Sequence, residues 1–155
     1  MGLDNIPKNY ACVKQNTAIR NADNQIDCDA TIKAGKCPWD NAYKSDPLVK
    51  DSNPTYGMFG MHCWYRGKYG NYLLDEARNN SLDFERDMGT YDFYGDDEDE
   101  DGNQFINSDQ CLSMSEIMLE YKDIFSEDAM NKDWIYAAWW LKFVGENCDG
   151  ADAWY

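Results

Sequence analysis

Ser113-Met114-Ser115-Glu116-Ile117-Met118-Leu119-Glu120-Tyr121-Lys122-Asp123-Ile124-Phe125 places apolar side chains at 114, 117, 118, 121, 124 and 125. That spacing is i, i+3, i+4, i+7, i+10 and i+11, one face of an α-helix. Ser113 and Glu116 stand three residues apart at its start, so a capping box predicts a helix opening there. A second helix is predicted over residues 127–144, with Gly145 where a left-handed cap residue belongs. Its Trp134, Trp139, Trp140 and Phe143 cover more than one face, so this helix is either central to the core, the reading favoured here, or presents aromatic surface to a partner. The two should pack as a helical hairpin, and the hairpin sets the expected fold class. We expect one α+β domain, in which a loop-rich, cysteine-bearing amino-terminal part with a small antiparallel sheet carries this carboxy-terminal hairpin.

Upstream the pattern is weaker. Pro7, Pro38, Pro47 and Pro54 interrupt the first 55 residues, and no 3.6-residue apolar period is sustained there. Residues 25–29 and 31–34 are the strand candidates in this part. Residues 56–65, with Met58, Phe59, Met61, Cys63, Trp64 and Tyr65 between glycines, read as one or two strands crossing the core. Asn71 can cap a helix over residues 72–80 whose inward face is Leu73, Leu74 and Ala77. Residues 81–94 carry no clear pattern.

The chain of 155 residues is long enough to bury a core. Leu, Ile, Val and Phe together number only 25, a share that with high net charge usually marks disorder. Six Trp, eleven Tyr and six Phe reverse that reading, since each ring buries roughly 150–250 Å². The core must therefore be built from rings and methionines. The longest near-apolar stretch, residues 134–144, is eleven residues with Lys142 inside it, against about twenty needed to span a bilayer. No membrane partner is expected.

The net charge of −15 is lopsided. Residues 1–90 hold 12 acids against 11 bases, whereas residues 91–155 hold 17 acids against 3 bases. A field of that sign repels phosphates, so direct nucleic-acid binding is not expected, and it draws basic partners at rates that fall with salt. The candidate partner-binding run is Asp96, Asp97, Glu98, Asp99, Glu100 and Asp101. The same residues serve equally as a solvated surface that keeps the protein soluble.

The segment beginning at Asp99 resembles the twelve-residue calcium loop of EF-hands, with oxygen side chains at positions 1, 3, 5 and 9. Gln104 stands where that loop needs Gly, and Gln110 where it needs a bidentate Glu. Sliding the register back to Asp97 restores Gly102 at position 6 but leaves Ser108 at position 12. The expectation is weak, opportunistic divalent binding by residues 96–101 rather than an EF-hand; Asp97, Asp99, Asp101 and Asn103 are the calcium candidates, and calcium is not expected as a cofactor.

No signal peptide is legible at the amino terminus, and Ile6 stands where myristoylation requires Ser or Thr. A cytoplasmic setting is expected, in which six cysteines are mostly reduced. Cys12, Cys28, Cys37 and Cys63 share the near-neutral part and can hold a structural zinc ion tetrahedrally. Their gaps contain no Cys-x-x-Cys pair, so three alternatives stand beside this one: His62 replacing one cysteine, buried reduced thiols, and, in an oxidising compartment, disulfides.

Residues 62–72 gather the one histidine, two cations and four large rings. His62, Trp64, Arg66, Lys68 and Tyr69 are the candidates for a small anionic ligand such as a nucleotide, because rings stack on bases and cations pair with phosphates. The plainer reading is a strand with Trp64 buried, followed by a glycine-hinged turn. G-x-S-x-G, H-E-x-x-H, GxGxxG and P-loop motifs are absent from the sequence, which is read as non-enzymatic.

Met1-Gly2-Leu3-Asp4-Asn5-Ile6-Pro7, followed by Cys12 and by Cys63-Trp64-Tyr65-Arg66-Gly67-Lys68-Tyr69-Gly70-Asn71-Tyr72, resembles small uncharacterised proteins of tailed bacteriophages and related environmental viruses. The likeness covers about half the chain and none of the acidic part. It implies no activity, only a viral or prokaryotic setting, in which the basic partner would be a host protein or the chain a metal-stabilised part of a viral assembly. Partner identity and oligomeric state are left open by the sequence.

Overall fold

A computed structural model of the chain describes residues 2–50, 52, 63–88 and 91–154. In chain order the elements are β1 (Asp4–Pro7), α1 (Ala11–Lys14), α2 (Cys28–Lys33), α3 (Pro38–Ser45), α4 (Gly67–Asn80), α5 (Leu82–Met88), β2 (Asp97–Glu98), β3 (Gln104–Ile106), α6 (Ser108–Glu120), α7 (Asp128–Asn147) and β4 (Ala151–Trp154). This is a small α+β fold with an antiparallel sheet and a carboxy-terminal helical hairpin, the class the sequence predicts.

The sheet runs β1-β4-β3-β2, and three of its four strands come from the acidic part. β4 sits between β1 and β3, pairing Asp4 with Trp154 and Pro7 with Ala151 on one side and Ile106 with Ala151 on the other. Ala151 and Ala153 are buried beneath it while Asp152 lies on the opposite face, the alternation expected of a half-buried strand. Tyr65 extends β1 by an isolated bridge, exchanging backbone hydrogen bonds with Asn5 at 2.8 and 3.0 Å. The rest of the predicted 56–65 strand lies outside the described residues, apart from 63–65.

The hairpin of α6 and α7 forms the body of the core. Trp134, Trp140, Leu141, Met114 and Met118 are fully buried, with Tyr65, Phe84 and Phe93 packed from other elements. Two of the buried indoles donate to backbone carbonyls across the core, satisfying the polar edge of the ring. Trp134 donates to the Met118 carbonyl at 2.9 Å, and Trp140 to the Cys63 carbonyl at 2.8 Å. Ser115 donates to the Ala138 carbonyl at 2.6 Å, a polar stitch between the two helices.

Four local expectations are corrected. The capping box belongs to Asn107 and Gln110: Asn107 accepts from the Gln110 amide at 2.8 Å and Gln110 returns the bond at 3.1 Å, so α6 opens at Ser108 and not at Ser113. α7 continues past Gly145, which packs against Leu112 inside the helix, and ends with Cys148 as its cap. Residues 28–33 are helical, not strand, because Asp27 caps them by accepting the Ala30 amide and the Thr31 hydroxyl bonds back to the Asp27 carbonyl at 2.7 Å. α4 begins at Gly67, five residues before the predicted start, and the patternless 81–94 stretch contains α5. Gly67 is there for proximity: a Cβ on it would stand 1.9 Å from Asn5 Oδ1, so its absence lets the start of α4 press on β1.

Candidate functional site

The acidic run is the tip and edge of the sheet. β2 pairs with β3 through Asp97–Phe105 and Glu98–Gln104, so the segment likened to a calcium loop is a strand-turn-strand with no helix leading into it. In the turn, Asp99 accepts the amides of Asn103 at 2.9 Å and Asp101 at 3.0 Å, and Gly102 takes φ +81°. The Asn103 amide above all holds the Asp99 carboxyl below the usual carboxylate range. Asp97 accepts from the Asn107 side-chain amide, the same residue that caps α6. Of the calcium candidates, Asp97 and Asp99 are thus turned to amide donors, while Asp101 and Asn103 are exposed. Asp96, Glu98 and Glu100 are exposed as well, and acidic side chains along an edge strand also bar pairing with a second sheet.

Among the described residues, front-half cations reach the tail. Lys8 pairs with Asp152 at 3.4 Å and stands 4.3 Å over the Phe105 ring, Lys14 pairs with Asp149, and Arg78 donates to the Tyr91 carbonyl at 3.1 Å. Pairs within one half include Lys44 with Asp40, Arg78 with Asp75, and Lys142 with Glu146. The carboxylates of Glu98, Glu100 and Asp101 are left facing water.

The basic-aromatic segment divides. Arg66, Lys68, Tyr69 and Tyr72 line an open cleft of about 410 Å³ floored by Leu3 and Asp4. Rings of Tyr69 and Tyr72 are stacked, 6.0 Å apart at 16°, and Tyr69 donates to Asp133 at 2.5 Å. A second hollow of about 450 Å³ shares Lys68 and Tyr72 and adds Asn71, Arg78 and Tyr94. Burial pushes the Asp4 carboxyl up while Arg66 pulls it the other way. Trp64 does not join this cleft: it is buried, donates to the Tyr10 hydroxyl at 2.9 Å and meets the Trp154 ring edge-on. His62 lies outside the described residues. Sequence reasoning left Tyr72, Arg78 and Tyr94 out of its ligand set, although the 69/72 and 75/78 spacings on one helix carried the signal for the first two.

The cysteines converge. Cys12, Cys28, Cys37 and Cys63, the predicted quartet, all line one cavity of about 30 Å³ between the first three helices and α7, and Cys148 joins them there. Ile32, Pro38, Trp39 and Phe143 give the cavity apolar walls. Cys37 is the cap of α3, its sulfur accepting the Asp40 amide at 3.4 Å. Burial, reinforced by the neighbouring thiols, pushes Cys63 far up, and burial drives Cys148 and the remote Cys111 up to about 12. None of the six cysteines is paired in a disulfide, and among the described residues no three His, Cys, Asp or Glu side chains stand close enough as placed to ligate an ion.

Comparison of the chain with known protein families, with curated proteins and with solved structures finds no match. Among the described residues no helix is long and apolar enough to cross a membrane.

Proposed function

We propose that this is a non-enzymatic binding protein whose carboxylate-rich edge hairpin engages a basic surface on another protein. One observation carries the reading: Glu98, Glu100 and Asp101 project into water from a turn that Asp99 and Gly102 fix. The front half's Lys8 and Lys14 are directed to Asp152 and Asp149 instead. A rigid anionic tip loses little entropy on docking and steers a cationic partner from a distance. The resemblance to phage proteins supplies the setting, the cytoplasm of a prokaryotic cell and a basic host protein within it. Nucleic acid is disfavoured by the sign of the field.

The test is capture from a prokaryotic lysate with the wild-type chain and with a Glu98→Gln/Glu100→Gln/Asp101→Asn variant. A basic partner should be retained by the wild type, lost by the variant, and weakened about tenfold or more as salt rises from about 50 to about 500 mM. An affinity that ignores both salt and the substitutions overturns the proposal.

A second reading is favoured by the stacked Tyr69 and Tyr72 beside Arg66 and Lys68, which suit a small anionic ligand carrying a planar ring. It expects nucleoside phosphates to raise Tm and Arg66→Ala to abolish the rise. A panel without any shift removes it.

A further inference from the structure

We propose that the cavity between α1, α2, α3 and the end of α7 is a structural zinc site, with Cys12, Cys28, Cys37 and Cys63 as its four ligands. Five separate stretches of the chain each bring a cysteine to one small, partly open space, and a protein of six cysteines commits five of them there. About 30 Å³ admits a single ion or one or two waters, far less than any organic ligand. Thiolates around an apolar-walled space are the donor set of a tetrahedral Zn²⁺.

Local structure supplies the outer shell. Cys37 sits at the start of α3, where the Asp40 amide already reaches its sulfur. Amide donors to sulfur stabilise bound thiolate and orient it. Cys148 shares the wall but stands at the cap of α7, a twenty-residue helix with its own packing, and serves as a neighbour and not a ligand. The four proposed ligands are only partly buried, whereas Cys148 and Cys111 are buried.

The fold also needs such a clamp. α1, α2 and α3 are four, six and eight residues long, too short to be stable alone. Among residues 2–50, the buried hydrophobic residues are Leu3, Ala11, Trp39 and Val49. Closing the cage requires the thiols to turn inward on these short elements. Each thiol that binds gives up its proton, so ion uptake releases protons and weakens as pH falls.

The experiment uses the whole chain purified without chelator, under reducing conditions. Metal analysis should give about one zinc per chain, and exchange with Co²⁺ should produce thiolate-to-cobalt charge-transfer bands with the intense visible absorption of a tetrahedral site. Cys28→Ser and Cys37→Ser should each lose the ion, whereas Cys111→Ser and Cys148→Ser should keep it. Should a ligand variant fail to fold, removing zinc from the wild type by chelation must still lower Tm, and zinc addition must restore it. Reduced wild-type chain that takes up neither Zn²⁺ nor Co²⁺ overturns the proposal, as does uptake that survives both ligand variants. Isolation with the four cysteines paired as disulfides, and no metal binding after reduction, overturns it too.

Discussion

Gly150 joins α7 to β4 at φ +86°, and a Cβ there would stand 2.0 Å from the Ile106 carbonyl oxygen. Both conditions exclude a side chain. The left-handed conformation costs an L-residue about 1–2 kcal/mol, and the clash forces β4 away from β3. Gly150→Ala should therefore lose about 2 kcal/mol or more in urea unfolding. By contrast Gly102→Ala, which also has positive φ but meets nothing within 4 Å, should lose only the conformational part. Equal losses would mean that the β3–β4 contact is looser than the structure has it. At Asn5 the side-chain amide donates to the Phe93 carbonyl at 2.8 Å inside the core, while its Oδ1 is buried without a hydrogen-bond donor among the described residues.

Which residue starts α6 is a question at the scale of the element. Two sequence patterns compete, Ser113 with Glu116 and Asn107 with Gln110, and the structure seats both capping bonds on the second. The first would begin the helix six residues later and leave Cys111, now fully buried, outside it. Asn107→Ala should cost about 1 kcal/mol, read as a fall of about 3 °C in Tm for a chain of this size. Ser113→Ala, inside the helix, should change Tm little or raise it slightly. The reverse ranking would return the helix start to Ser113. Asn107 also donates to Asp97, so this cap ties the acidic hairpin to the helical body.

For the whole molecule the buried thiols set the response to alkali. Burial raises Cys111 and Cys148 from an ordinary 9.0 to about 12. The folded state thus favours the protonated thiol. Its contribution is fully present below pH 9, where unfolded thiols are still protonated, and is lost as pH rises from about 9 toward 12. Metal-free reduced protein should unfold at progressively lower urea across that window. A Cys111→Ala/Cys148→Ala variant should show a shallower decline than the wild type over the same range. Identical slopes would place the alkaline loss in other groups.

The hairpin of α6 and α7, the ring-and-methionine core and the concentration of acid in residues 91–155 were all legible in the sequence. Periodicity and composition are local sums that need no partner to read. The helix ends were not, because Asn107, Ser113 and Gly145 each carry capping chemistry and only packing decides which is used. β1 and β4 were missed for a related reason. They are four residues each and exist only by pairing across nearly the whole chain, Asp4 with Trp154. The cysteine quartet could be named from its place in the neutral half, yet the convergence of Cys12, Cys28, Cys37 and Cys63 on one cavity, with Cys148 brought from the far end, is a property of tertiary structure alone. Spacings of this size fix no distances in space, and the chain's return through β4 is what carries Cys148 to the other four.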